Sequence, residues 1–100
     1  IERAKAGEWG KVLLDGPLDI ICSLDKETLK IKGIDSCLEG EADALVFPDI
    51  EGGNIFYKSV TFFGASEIAA VLQGALCPVV ISSRGDSVLT KYYSIAVALA

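Results

Sequence analysis

The residues Pro78 to Ser87 read PVVISSRGDS, and this stretch decides our prediction of the fold. It begins as a short apolar run, continues through two serines and an arginine, and turns at Gly85. Apolar residues with the 3.6-residue period of a helix follow up to Ala100. A strand, a polar turn and a helix start are what open α/β sheets use to bind phosphate-bearing ligands. The free N–H groups and the dipole at the start of the helix favour an anion there.

Similar apolar runs lie upstream, at Lys11–Asp15 and Ala44–Phe47, and Val79–Ser82 is the third clear strand. The stretch Ala65–Gln73 is ambiguous: a helical turn can start at Ser66 and Glu67, and Ala70–Gln73 fits a strand equally well. Continuous apolar strands that alternate with helices are typical of a parallel sheet covered on both faces. We therefore predict an α/β fold with a mostly parallel sheet. The helical patterns between the runs lie at residues 26–32, 54–63 and 86–100.

The ends of these helices carry recognisable signals. Asp25 is a good N-cap for the first, with Gly33 at its end, and Gly64 stops the second. Either Asp86 or Ser87 caps the last helix.

The composition of the 100 residues restricts the partners. The net charge is −5, which argues against non-specific binding to nucleic acid or to anionic membranes. No apolar run approaches the ~20 residues of a membrane span. Hydrophobic residues make up 51% of this short chain, so we expect partner surfaces, either in a homodimer or against a further part of the chain.

The three cysteines, Cys22, Cys37 and Cys77, show no metal-binding spacing, and the chain has no histidine. We expect free thiols in a reducing cytoplasm and no metal site.

Two strand-to-helix junctions are candidates for chemistry, Pro48–Lys58 and Ser82–Ser87, and both should lie at the same edge of the sheet. In the first, Gly52 and Gly53 either allow close approach of a ligand to the backbone or only form a turn before a helix. In the second, Arg84 suits a phosphate, or forms an ion pair with one of the nearby carboxylates. Those carboxylates are Asp49, Glu51 and Asp86. Asp49 and Asp86 are also candidate helix caps. We expect the aromatic residues Phe56, Tyr57, Phe62, Phe63 and Tyr92 to lie in the core or an interface.

At these junctions the chain closely resembles the phosphate acyltransferases, the phosphate acetyl- and butyryltransferases. The family pattern PD-[LI]-x-x-GN-x-x-YK is met by Pro48, Asp49, Gly53, Asn54, Tyr57 and Lys58. The later pattern G-x-x-x-P-V…SR-[GA] is met by Gly74, Pro78, Val79, Ser83, Arg84 and Gly85.

The resemblance implies the reaction acyl-CoA plus phosphate to acyl phosphate plus CoA, with coenzyme A as a substrate and no cofactor. It implies a fold similar to isocitrate and isopropylmalate dehydrogenases, with the site in a cleft between two domains. The chain would be the carboxyl-terminal part of such an enzyme and inactive alone. The residues implied at the substrate are Asp49, Gly53, Asn54 and Lys58, and those implied in catalysis are Ser83, Arg84 and Asp86.

Acyl transfer needs a hydrogen-bond donor to the oxyanion of the tetrahedral intermediate, and Ser83 is the candidate. It also needs a cation that binds phosphate, and Arg84 is the candidate. It also needs a general base for the CoA thiol. Acetyl-transferring members carry an aspartate six residues after this arginine, whereas this chain has Thr90, and its nearest carboxylate is Asp86. The identity of the general base therefore stays open.

The pattern SR-[AG]-DS is similar to the butyryl type, so the resemblance favours an acyl group longer than acetyl. Two alternatives remain: a non-catalytic module that binds CoA or a nucleotide, and a purely structural dimerisation piece.

Overall fold

The computed structural model describes residues 1–100 and contains five helices and no strand. The chain divides into two compact units, Ile1–Val46 and Phe47–Ala100. None of the helices is long and apolar enough to cross a bilayer. The helices are α1 (Glu2–Lys5), α2 (Ile20–Leu24), α3 (Lys26–Lys32), α4 (Ile50–Phe63) and α5 (Val88–Leu99).

The predicted α/β fold with its mostly parallel sheet is wrong, because none of the predicted strands pairs with another. A strand persists only where its N–H and C=O groups meet those of a neighbour. Lys11–Asp15 and Ala44–Phe47 make no backbone–backbone hydrogen bonds. Between Ala70–Gln73 and Val79–Ser82 there is a single such bond, from the N–H of Leu72 to the C=O of Val79 at 3.0 Å. One bond does not form a ladder, so these apolar runs are irregular segments.

In the first unit, two aspartates start two consecutive helices. Asp19 accepts a hydrogen bond from the N–H of Cys22 at 2.8 Å and caps α2. Asp25 accepts one from the N–H of Thr28 and caps α3, which ends at Gly33 in the left-handed conformation with φ 63°. The predicted helix at residues 26–32 is therefore confirmed with its cap and its stop, whereas α2 was missed.

Gly40 in the following loop lies against the start of α3. A Cβ atom at this position would lie 2.5 Å from the backbone nitrogen of Lys26, which is closer than atoms can approach. The φ of +79° also favours glycine. Only glycine therefore allows the loop to pack here.

In the second unit, α4 begins at Ile50, four residues earlier than predicted. The carboxylate of Asp49 accepts a hydrogen bond from the N–H of Gly52 at 2.6 Å, which places the cap before the double glycine. Gly52 and Gly53 therefore lie within the first turn of the helix rather than in a loop before it. The helix stops at Gly64, as predicted.

Ser87 rather than Asp86 caps α5, because its hydroxyl accepts a hydrogen bond from the N–H of Thr90 at 3.0 Å. This leaves the carboxylate of Asp86 available for the turn before the helix.

The buried apolar residues are few and all belong to the first unit: Ala4, Cys22 and Leu29. Phe62, Phe63 and Tyr92 are exposed, so they do not lie in a core, and their place in an interface stays a prediction. The rings of Phe47 and Phe56 do pack together, with centroids 5.2 Å apart.

Candidate substrate site at the start of helix α5

A cavity of about 550 Å³ opens in the second unit, beside the start of α5. Residues of α4, of the loop that follows it and of the turn before α5 form its walls. Its lining is about equally polar and apolar and carries charges of both signs. The residues that matter for its chemistry are Tyr57, Lys58, Thr61, Glu67, Asp86 and Thr90.

Asp86 is held on both sides of its carboxylate. Its Oδ1 accepts a hydrogen bond from the hydroxyl of Tyr57 at 2.8 Å, and its Oδ2 accepts one from the backbone N–H of Ser83 at 2.7 Å. The Tyr57 hydroxyl and then the Ser83 amide hold the pKa of Asp86 below its usual range, with a smaller effect from the charge of Lys58. The same bond raises the pKa of Tyr57. Asp86 is therefore an anion at neutral pH that fixes the turn containing Ser83.

Glu67 is the second carboxylate of the cavity. Its Oε2 accepts hydrogen bonds from the hydroxyls of Ser87 and, at 2.9 Å, of Thr90. These two hydroxyls, Ser87 first, hold the pKa of Glu67 below its usual range. Glu67 is therefore ionised at neutral pH as well.

Three hydroxyls on one face of α5 hold the segment that contains Glu67. Ser87, Thr90 and Ser94 follow the i, i+3, i+7 spacing that places side chains on one side of a helix. Ser94 is 1% exposed and accepts a hydrogen bond from the N–H of Ala70 at 3.0 Å, while it donates one to the C=O of Thr90 at 2.7 Å. The loop after α4 is thus fixed along α5 without a ladder of backbone bonds.

Arg84 is exposed in the turn between Ser83 and Asp86. The salt bridges of the chain lie at other residues, so the alternative of an ion pair between Arg84 and a nearby carboxylate is wrong for this structure. Its guanidinium is accordingly not committed to a protein anion.

The structure brings some of the predicted site residues together and leaves others apart. Lys58 and Asp86 line the cavity. Ser83 and Arg84 do not line it, although the backbone N–H of Ser83 donates a hydrogen bond to Asp86. The ammonium group of Lys58 lies 4.4 Å from the ring centroid of Tyr57. The predicted residues at the start of α4 do not line the cavity; they are Asp49, Gly53 and Asn54. Asp49 is occupied as the helix cap.

Glu67 was missed at the level of sequence, because it lies in a stretch with no clear periodicity. The spacing of Ser87, Thr90 and Ser94 was the available signal, since hydroxyls repeated along one helix face need partners. The side chains of the chain offer no group of three histidines, cysteines or carboxylates that could hold a metal ion. The absence of a cofactor stays a prediction.

Residues 3–99 match the model of the family described as "Phosphate acetyl/butaryl transferase". The chain belongs to this family. It is 42% identical to the phosphate acetyltransferase of Rhizobium meliloti, over 97% of this chain and 31% of that protein. It is 43% identical to the phosphate acetyltransferase of Thermotoga maritima, over 95% of this chain and 33% of that protein. It is 41% identical to the phosphate butyryltransferase of Clostridium acetobutylicum, over 95% of this chain and 33% of that protein.

The chain thus spans about a third of the length of the curated relatives it matches. Acetyl- and butyryltransferases resemble it equally well, so identity does not separate the two acyl groups. The assignment to the carboxyl-terminal part of such an enzyme stays a prediction.

Proposed function

We propose that the protein to which this chain belongs transfers an acyl group between coenzyme A and inorganic phosphate. Membership of the phosphate acyltransferase family supports the reaction class. The observation that carries the proposal for this chain is the turn before α5, where Ser83 is fixed by Asp86 and is followed by an uncommitted Arg84.

In the proposed mechanism, the hydroxyl of Ser83 donates to the oxyanion of the tetrahedral intermediate. The backbone N–H of Ser83 is already bonded to Asp86, so the hydroxyl is the donor that this residue has left. Arg84 binds the phosphate that is transferred, because its guanidinium forms paired hydrogen bonds to phosphate oxygens. Asp86 acts as a positioning residue that keeps Ser83 in place.

The other predicted residues contribute to binding coenzyme A. Lys58 supplies a positive charge at the cavity for its phosphates. Gly53 and Asn54 are the fourth and fifth residues of α4, which Asp49 caps, and the positive end of the helix dipole favours an anion near them.

We further propose that the acyl group is longer than acetyl, as in butyryl transfer. The support is the sequence SRGDS and the hydroxyl of Thr90 in place of a carboxylate. A higher kcat/KM for butyryl-CoA than for acetyl-CoA is expected, and the opposite order would refute this part of the proposal.

The test of the reaction is an assay of the full-length protein with butyryl-CoA and phosphate. Acyl phosphate is trapped with hydroxylamine, so that the cysteines of the protein do not contribute to the signal. Turnover that falls in a Ser83→Ala variant supports the proposal. Binding of coenzyme A without turnover would instead favour a non-catalytic binding module. The observation that supports this alternative is Thr90 in place of an acidic residue.

We also propose that the protein is a homodimer in the cytoplasm. The exposed apolar residues of the helices support association, and the location rests on the free cysteines.

A further inference from the structure

The carboxylate of Glu67 is anchored through one oxygen only. The hydroxyls of Ser87 and Thr90 both donate to Oε2, and neither donates to Oε1. The side chain is therefore held in a fixed place by Oε2 while Oε1 keeps its capacity to accept a proton or a hydrogen bond. This is the geometry expected of a general base that is oriented by its neighbours.

The other carboxylate of the cavity lacks such an oxygen. Asp86 uses Oδ1 for the hydroxyl of Tyr57 and Oδ2 for the N–H of Ser83. A proton transferred to Asp86 would go to an oxygen that already accepts a hydrogen bond, and it would weaken the bonds that fix the turn. Of the two carboxylates, Glu67 is thus the better placed to take a proton without a change of structure.

Glu67 also lies beside Thr90, the residue at which the resemblance to acetyl-transferring members implies an aspartate. The hydroxyl of Thr90 is 2.9 Å from Oε2 of Glu67. A carboxylate from the loop after α4 therefore reaches the same part of the cavity from a different segment of the chain.

We propose that Glu67 is the general base for the thiol of coenzyme A, an inference that rests on the proposed acyl transfer. In the direction of acyl-CoA synthesis, the S–H proton passes to Oε1 of Glu67 as the sulfur attacks the carbonyl carbon of the acyl phosphate. The C–S bond forms, the C–O bond to phosphate breaks, and phosphate leaves with that electron pair. In the opposite direction, protonated Glu67 returns the proton to the departing thiolate.

The charges around Glu67 keep it ready for this role. The ionisable groups that share the cavity are Tyr57 and Lys58 from α4 and Asp86 from the turn before α5. The hydroxyls of Ser87 and Thr90 lower the pKa of Glu67, so the carboxylate is ionised over the whole neutral range. The rate should therefore fall on the acid side only below the ordinary glutamate range.

The first test is Glu67→Gln in the full-length protein, with acyl phosphate and coenzyme A as substrates. Glutamine keeps an oxygen for the two hydroxyls but cannot accept the proton. We expect kcat to fall by about 10²–10⁴-fold, the usual contribution of a general base. The matched control is Glu41→Gln, an exposed glutamate of the first unit, which should leave kcat unchanged.

Two further measurements separate a base from a structural residue. Formate should restore part of the activity of Glu67→Ala, because a small carboxylate can occupy the space of the missing one. Thr90→Val removes a hydroxyl that lowers the pKa of Glu67, so the acid limb of its pH–rate profile should move to higher pH. The Thr90→Val profile is obtained with Glu67 in place, so it also decides the matter if the Glu67 variants do not fold.

The outcomes distinguish this inference from the proposed function. If the wild-type protein binds coenzyme A but does not transfer the acyl group, the proposed function fails and the inference fails with it. If the wild type is active and Glu67→Gln retains activity within about threefold, only the inference is overturned. A large loss in Asp86→Asn in that case, with an acid limb that Thr90→Val does not move, assigns the base to Asp86.

Discussion

The hydroxyl of Tyr57 donates a 2.8 Å hydrogen bond to Oδ1 of Asp86, 29 residues further along the chain. Tyr57 lies in the middle of α4, and Asp86 lies in the turn before α5. Because Asp86 also accepts the N–H of Ser83, this one contact fixes the turn against the helix. The position of Ser83 and Arg84 in the proposed site thus depends on a tyrosine that forms no hydrogen bond with either of them.

Tyr57→Phe should release this turn without removing the ring. Asp86 loses the hydrogen bond that lowers its pKa most, so the pKa of Asp86 should rise toward the ordinary aspartate value. We expect kcat/KM of the full-length protein to fall by up to about tenfold, since the bond is charge-assisted but partly exposed to water. The carboxyl resonance of Asp86, followed by NMR against pH, checks the first part. The matched control Tyr93→Phe, in α5, should change neither quantity.

Arg84→Ala should weaken phosphate binding and leave the fold intact. The guanidinium has no protein partner in a salt bridge, so its removal breaks no such contact. A lost charge-assisted contact to phosphate corresponds to about ten- to a hundredfold in KM or kcat/KM. Arg84→Lys should recover only part of the loss, because a point charge does not reproduce the planar fork.

The melting temperature of the same Arg84 variants gives the control. It should stay within about 1–2 °C of the wild type, as is usual for surface substitutions. Unchanged kinetics with a lowered melting temperature would remove Arg84 from the substrate site.

The helices and their ends were largely readable from the sequence. Asp25, Gly33, Gly64 and Ser87 act through contacts with residues three or four positions away, so their effect is local. The early start of α4 was missed because Gly52 and Gly53 have poor helix propensity. The cap at Asp49 stabilises the start of the helix in spite of this low propensity.

The absence of a sheet could not be predicted from the sequence in the same way. An apolar run such as Val79–Ser82 specifies burial, but whether it becomes a strand depends on a partner elsewhere in the chain. Here the facing segment contributes only the bond from Leu72 to Val79. The hydroxyls of Thr90 and Ser94 instead bind the N–H groups of Ile68 and Ala70.

The candidate site was readable in part for the same reason. Ser83, Arg84 and Asp86 are neighbours in sequence, so their proximity follows from one turn. The contacts of Asp86 with Tyr57 and of Glu67 with Thr90 span more than twenty residues. Such contacts depend on how the two helices and the loop pack, which local patterns do not specify.

Ser94→Ala should destabilise the second unit. The hydroxyl of Ser94 is buried and serves both the N–H of Ala70 and the C=O of Thr90. Its removal leaves the Ala70 N–H without a partner, which costs roughly 1–3 kcal/mol. Denaturant unfolding measures the change, and hydrogen exchange should show a faster amide at Ala70. Ser59→Ala, in which the serine of α4 has no side-chain hydrogen bond, should cost no more than about 0.5 kcal/mol. Equal losses in the two variants would contradict the assigned role of Ser94.

Asp19 should make the first unit sensitive to acid. Its carboxylate pairs with Lys32 and caps α2 through the N–H of Cys22, and these contacts, Lys32 first, lower the pKa of Asp19 to about 2. The folded state therefore keeps the carboxylate ionised at a pH where the unfolded chain, with a value of 3.8, already binds a proton. This contribution to stability is complete above the unfolded value and is lost as the pH falls toward 2.

Thermal melts at a series of pH values test this contribution. The difference in melting temperature between the wild type and Asp19→Asn should be largest near neutral pH and should shrink as the pH falls below about 4. Asp43→Asn, at an exposed loop aspartate of the same unit, controls for the loss of a negative charge. A difference for Asp19→Asn that is constant from pH 6 to pH 2 would refute the assignment.

The chain should associate through α4. It exposes 8077 Å², whereas two separate compact units, each of half its mass, would together expose about 6,600 Å². The excess, which is summed over both units, is larger than the roughly 800 Å² per partner that a standard protein interface covers, and the choice of α4 rests on the aromatic residues at its end. Phe62 and Phe63, at the end of α4, are each 83% exposed and present a paired aromatic surface.

Sedimentation at tens of micromolar, about the range in which standard interfaces hold, should show a dimer for the unchanged chain. Phe63→Asp should convert it to a monomer, because a buried unpaired carboxylate is costly at the centre of an apolar contact. Ile31→Asp is the matched control, since Ile31 is 78% exposed on α3 in the other unit and should leave the dimer intact. A monomer at this concentration, or a dimer that only Ile31→Asp disrupts, would place the contact surface elsewhere than α4.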